Sequence, residues 1–204
     1  MIRAPVHARR ARSWSTRTVG TRDLIPSFLI VCEGEKTEPN YFRRFRVPAE
    51  VARIDVQGIG ANTVSLVRKA IALRDAGDYD QTWCVFDRDS FSLRSFNDAF
   101  TLAERSDISI AYSNEAFEIW YLLHFHYFNS GMSRADYGKK LSALLGHRYV
   151  KNSETMFDEL RDRQADAIRN SQRLLRTHQP TRPAHDNPST TVHLLVQELR
   201  RFER

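Results

Sequence analysis

Carboxylates gather directly behind two apolar runs of this sequence. LIVC, at residues 29–32, is followed at once by Glu33, with Glu35 and Glu38 close behind. WCVF, at residues 83–86, is followed by Asp87 and Asp89. A third pair, Glu115 and Glu118, lies one helical turn apart in the otherwise apolar stretch EAFEIWYLLHFHY. Carboxylates held within a few ångströms of one another repel, and they stay ionised only when a cation joins them. A hard divalent ion meets that need, and Mg²⁺ is commonly held by one or two carboxylates together with water and substrate phosphates. Such an ion orients water and neutralises charge developing on a phosphate, which is the chemistry of phosphoryl transfer. Acids also cap helices and end strands with no chemical purpose. Glu38, Asp89 and Glu115 each fit that ordinary role, and Glu118 fits a buried ion pair with an arginine. Two acidic groups, each behind a fully apolar strand, tip the balance toward a site.

The elements that would position these acids follow from the hydropathy pattern. SFLIVC (27–32) is a continuous apolar run suited to a strand buried on both faces. EGEKTEPNYFRRF turns at Gly34 into a helix beginning near Thr37–Pro39, with Thr37 as cap. Residues 51–56 alternate as a strand, and 62–76 carry helical spacing behind Asn62 or Thr63. Residues 80–86 form a third strand, 92–105 a helix and 108–112 a fourth strand. This alternation predicts an α/β fold with a parallel sheet of about four strands flanked by helices. Ligands of such sheets bind beyond the carboxyl ends of the strands, where the strand order reverses. If the first and third strands are neighbours, Glu33, Asp87 and Asp89 share one crevice. Extended backbone would place the two aspartates on the same side.

Beyond residue 112 the pattern is helical: 115–127, 133–145, near 153–177, and 189–202. Ser189 is the expected cap of the last helix, after the proline-rich break THQPTRPAHDNP. The chain therefore divides into a basic arm (1–24), an α/β core (25–130) and a helical extension packed on it (131–204).

Composition narrows the function classes. The 204 residues, 41% of them hydrophobic and with few Pro and Gly, suit one domain and exclude collagenous or low-complexity classes. Residues 1–22 hold six arginines and no acid, while the other 182 residues balance 25 basic against 25 acidic side chains. Such an arm adds salt-sensitive affinity for a polyanion, or simply solubilises a terminus. No run of ~18 apolar residues and no apolar signal core is present, so a membrane-free, cytoplasmic protein is expected. Cys32 and Cys84 lie inside apolar runs and read as reduced, buried thiols. His124 and His126 are two apart on a helix and face differently, which argues against a shared zinc ion. Phe117, Trp120, Tyr121, Leu122 and Leu123 read as core. Arg43 and Arg44 behind the first acidic group, and Lys140 and Lys151 with Lys139 and Arg148, could contact a phosphate backbone. They would equally make a solvated face.

Four blocks, LIVCEGEKTEPNYF, VFDRD, NEAFEIWYLLHF and NPSTTVHLLV, together resemble the RloB-like family from residue 28 to about 196. Proteins of that family occur near bacterial and archaeal defence genes, often beside an ATP-binding partner. The resemblance implies a Toprim-like core, the metal-binding module of topoisomerases, primases and overcoming-lysogenization-defect nucleases. Such a module carries Glu–Gly after its first strand, matched by Glu33–Gly34, and Asp-x-Asp after its third, matched by Asp87–Arg88–Asp89. By that resemblance Glu33 is a metal ligand or general acid/base, Asp87 and Asp89 are ligands of Mg²⁺ or Mn²⁺, and Glu38 or Glu35 is a further acid. Independently of the resemblance, Glu118 or Glu115 could complete a second metal site just after the fourth strand, Glu118 being the one placed in the catalytic set.

The implied activity is a metal-dependent nuclease acting on DNA or RNA, tRNA included. It would be the effector of an antiphage or abortive-infection system, latent until an AAA- or ABC-type ATPase partner or a trigger releases it. A homo-oligomer is compatible with this reading. The alternative is a non-catalytic metal- or nucleotide-binding sensor or adaptor that docks on the ATPase. A metal-dependent nucleotidyl or glycosyl transferase would also use Asp-x-Asp, but not Glu–Gly after the first strand. No winged helix with a nucleophilic tyrosine and no zinc-binding region accompany the motifs, which sets topoisomerase and primase aside.

Overall fold

The computed structural model describes residues 25–88 and 92–203, so the basic arm and Asp89 lie outside the described residues. One sheet contains β1 (Ser27–Cys32), β2 (Arg53–Gly58), β3 (Gln81–Asp87), β4 (Ser109–Asn114) and β5 (Ser189–Thr190), in the order β2-β1-β3-β4-β5. The first four strands are parallel, and β5 runs antiparallel to β4. Helices α1 (Thr37–Phe42), α2 (Thr63–Ala76), α3 (Leu93–Arg105) and α4 (Glu118–Leu123) follow β1 to β4 in turn. Then come α5 (Arg134–Leu145), α6 (Met156–Leu160), α7 (Gln164–Arg176) and α8 (Val192–Arg200). The α/β architecture expected from the alternation is present and fits a Toprim-like arrangement. Among the described residues no helix is long and apolar enough to cross a membrane.

The pleat sorts side chains into two cores. Phe28, Ile30, Cys32, Trp83 and Val85 face one side, where α1 and the helices from α4 onward cover them. Leu29, Val31, Cys84 and Phe86 face the other, under α2 and α3. Cys32 and Cys84 therefore sit on opposite faces; both are free and buried, and burial pushes the Cys84 thiol up to about 12. They are packing residues, not nucleophiles.

Three local expectations need correction. Ser189 does not cap the last helix, because it pairs with Asn114 as a fifth strand, and Thr191 precedes α8 instead. Hydroxyls explain the change: Thr190 Oγ1 donates to the Tyr112 carbonyl at 3.0 Å and lies 3.1 Å from Ser113 Oγ, so it is used across the sheet. The segment 131–204 thus supplies a strand as well as helices. Thr37 is inside the first turn of α1 behind Lys36, and α4 begins at Glu118 behind Phe117, so Glu115 is no cap.

His124 and His193 are fully buried, and burial lowers both imidazoles to about 4. In the unfolded chain each binds a proton near pH 6.5, so between there and pH 4 the unfolded state holds more protons and stability falls as pH falls. The loss is on the order of 2 kcal/mol per imidazole by pH 5. The carboxylates described below push the opposite way, so parent and His193→Gln are compared at each pH. The parent's unfolding free energy is expected to drop more steeply from pH 7 to 5; parallel curves would contradict this.

Candidate active site

β1 is flanked by β2 on one side and β3 on the other, so the sheet's strand order reverses at this point. Two loops leave the carboxyl ends of β1 and β3 there. The Glu33 amide donates to the Val85 carbonyl at 2.8 Å, and the Gly60 amide donates to the Glu33 carbonyl at 2.9 Å. Held between the ends of β2 and β3, Glu33 turns its carboxylate toward β3, where Oε2 accepts the Asp87 amide at 3.1 Å. Residues 54 positions apart meet as the parallel sheet required.

Glu38 comes from the first turn of α1 and is only 6% exposed. It lies over Gly34, where a built Cβ would collide with its carboxylate, so only glycine admits this approach. Glu35 turns the other way, against Gly58 and Gly60, the latter at φ +64°. Of the two candidate acids, Glu38 is the one that faces Asp87. Burial, then the charges of Glu38 and Glu118, push the Asp87 carboxyl well above the ordinary range, with Arg134 opposing them. Burial also raises Glu38, with Glu118 adding to the shift and Lys151 and Arg134 opposing it. Arg134 Nη2 stands 3.4 Å from Asp87 Oδ2, whose side chain is 13% exposed.

Glu118, the first residue of α4, accepts the Tyr149 hydroxyl at 3.1 Å. Beside it opens a cavity of about 250 Å³ lined by Glu118, Arg134, Gly138, Tyr149 and Lys151. The loop carrying Tyr149 and Lys151 is fastened to α1 through Asn152. Thr37 Oγ1 donates to Asn152 Oδ1 at 2.7 Å, and Asn40 Nδ2 donates to the Asn152 carbonyl at 2.9 Å. Asn152 adopts φ +68°, a conformation asparagine tolerates better than most residues. Asn152→Ala is expected to cost about 1–2 kcal/mol, through the lost bond and the strained backbone. Asn152→Gly should cost less, because glycine keeps the conformation. Equal losses in denaturant melts would show that the left-handed geometry contributes nothing.

The donor chemistry suits a hard divalent cation, since every acid here offers carboxylate oxygens and their clustering leaves negative charge for a cation to offset. Among the described residues no three His, Cys, Asp or Glu side chains form a group that could hold a metal ion. The described acids thus offer one ion two carboxylates at most, a number with which Mg²⁺ is commonly held beside water and phosphate oxygens.

Of the basic residues expected at phosphate, Lys151 lines the cavity. Arg43 instead donates to the Val56 carbonyl at 3.1 Å, Arg44 pairs with Asp158, and the Lys140 ammonium sits 4.6 Å from the Phe128 ring centre. Arg134 and Tyr149 were not legible as site residues. They follow a helix cap and a loop glycine, and only tertiary packing brings them to Asp87 and Glu118.

The chain matches the RloB-like protein family over residues 28–199. It belongs to the RloB-like family. No curated protein and no solved structure matches it. In this RloB-like chain the matched span contains Glu33, Glu38, Asp87, Glu118, Arg134 and Lys151, and omits the basic arm.

Proposed function

We propose that this RloB-like chain is a divalent-metal-dependent nuclease that hydrolyses phosphodiester bonds in DNA or RNA, tRNA included. The supporting observation is the hydrogen bond from the Asp87 amide to the Glu33 carboxylate at the reversal of strand order, with the charges of Glu38 and Glu118 acting on a buried Asp87 and Arg134 opposing them. Mg²⁺ or Mn²⁺, held by Asp87 with Glu33, would supply charge neutralisation at the phosphate and an activated water. Arg134 and Lys151 bind the phosphate oxygens, Arg134 exchanging part of its contact with Asp87 for them. Tyr149 orients Glu118 through its hydroxyl. Glu38, whose buried carboxyl keeps its proton to higher pH than an exposed one, donates that proton to the leaving oxygen as the P–O bond breaks. The Glu38 carboxylate left behind takes up the proton that the attacking water gives up, which restores the acid.

In the cell such an enzyme would serve as the effector of an antiphage system, released by an ATP-binding partner. The test is cleavage of DNA and tRNA with Mg²⁺ or Mn²⁺, with EDTA as control, comparing the parent with Glu33→Ala and Asp87→Ala. Cleavage should require the metal and both acids. Cleavage that survives both substitutions overturns the assignment. Metal binding without turnover on any substrate, together with tight docking on an ATPase, would make the chain an adaptor instead.

A further inference from the structure

The segment that follows α4, Phe125–Phe128, presents three aromatic rings, and each has a cation on its face. The Arg163 guanidinium is 5.0 Å from the Phe125 ring centre, that of Arg173 is 4.0 Å from Tyr127, and the Lys140 ammonium is 4.6 Å from Phe128. The rings are half-buried against the core, while all three cations are exposed. The cations come from separate places: Lys140 from α5, Arg163 from the turn before α7, and Arg173 from α7 itself. Asn170 Nδ2 donates to the Leu123 carbonyl at 2.8 Å and fixes α7 against the end of α4. Ten helical positions separate Arg163 from Arg173, roughly 15 Å along the axis, so the pairs form a strip and not a point. Residues 161–176 hold five arginines and two aspartates, in a body whose basic and acidic side chains balance only when this stretch is included.

Cation–π pairs of this kind are weak at exposed sites, and one, with the Asn170 bond, would suffice to fasten α7. Three in a row, with further arginines on the same helix, accumulate repulsion that fastening does not need. A guanidinium lying on a ring keeps its other face open to stack a base and its N–H edge open to bind a phosphate. We propose that the strip is a docking track for single-stranded nucleic acid, with bases stacked on Arg163 and Arg173 and phosphates along Lys140, Arg163 and Arg173. An acidic protein would find the charge but would have no use for the planar faces. The track is a binding surface apart from the carboxylate cluster and does not rest on hydrolysis there.

The test is binding of the full chain to a labelled 20-nucleotide oligo(dT) and oligo(rU) over a range of salt, in EDTA so that cleavage is silent. Lys140→Gln/Arg163→Gln/Arg173→Gln should bind roughly tenfold or more weakly, and the slope of log affinity against log salt should fall by about 2. Unchanged affinity and slope overturn the proposal. Should the triple variant fail to fold, Arg163→Lys/Arg173→Lys carries the test. It keeps the charge and loses the planar stack, so weaker binding at an unchanged slope supports the track and unaltered binding overturns it. Poly-glutamate that displaces the oligonucleotide as well as an equally charged unlabelled strand does would assign the strip to an acidic protein and also overturn the proposal.

Discussion

Asp87→Asn is expected to lower phosphodiester hydrolysis about 10²-fold or more while raising the unfolding midpoint of the metal-free protein. Both effects have one cause. Asp87 is largely withdrawn from water and faces Glu38, Glu118 and Glu33, with Arg134 as the opposing charge. Burial and like charge together outweigh Arg134, so the ionised Asp87 is a load on the folded state. Asparagine fills the same space, can accept from Arg134, and carries no charge to be repelled. Removing even ~1 kcal/mol of repulsion would shift the midpoint by about 2–4 °C in a chain of this size. In the proposed nuclease that same charge is wanted, because it is the carboxylate that a divalent ion would meet. Midpoints in EDTA and cleavage rates with Mn²⁺ are to be measured on the same preparations. A less stable, inactive Asp87→Asn would mean that the residue holds the fold together and that its lost activity says nothing of chemistry.

The sheet and its acidic rim were legible because both depend on local pattern. Fully apolar β1 and β3 had to be interior strands, and residues directly behind interior parallel strands had to emerge at one edge. That reasoning brought Glu33 and Asp87 to one edge; the hydrogen bond from the Asp87 amide to Glu33 is what the structure adds. It could not choose between Glu35 and Glu38, because the choice depends on how the turn at Gly34 and the glycines at 58 and 60 pack, which has no periodicity. Nor could it see β5: two residues are too short for a pattern, and a Ser–Thr pair after a proline looks like a helix cap until its hydroxyls are found bonded to β4. Arg134, Tyr149 and the Asn152 fastening were hidden for a related reason. Each acts across more than 30 residues of chain, and they are aligned by tertiary packing of α4 and α5 in one core and by the bonds from α1 to Asn152.

Gly34→Ala should separate the role of Glu38 from that of its neighbours. A Cβ at position 34 lands on the Glu38 carboxylate, the far end of a side chain that can swing. The fold should therefore yield at modest cost, about 1 kcal/mol or less, while the carboxyl moves away from Asp87. A displacement of about an ångström in a reacting group can cost 10²-fold in rate, so activity should fall toward that of Glu38→Gln. Gly58→Ala serves as contrast: its Cβ would lie 2.8 Å from the Glu35 Cα and 2.9 Å from the Gly34 carbonyl oxygen, backbone that cannot swing. Stability should suffer there, by about 1–3 kcal/mol. Glu35→Gln should leave the rate unchanged, since its carboxylate lies against Gly60. The double variant Gly34→Ala/Glu38→Gln should be no slower than Glu38→Gln alone, because both changes remove one and the same group. Additive losses, or a fully active Gly34→Ala, would place the proton-donating carboxyl somewhere other than Glu38.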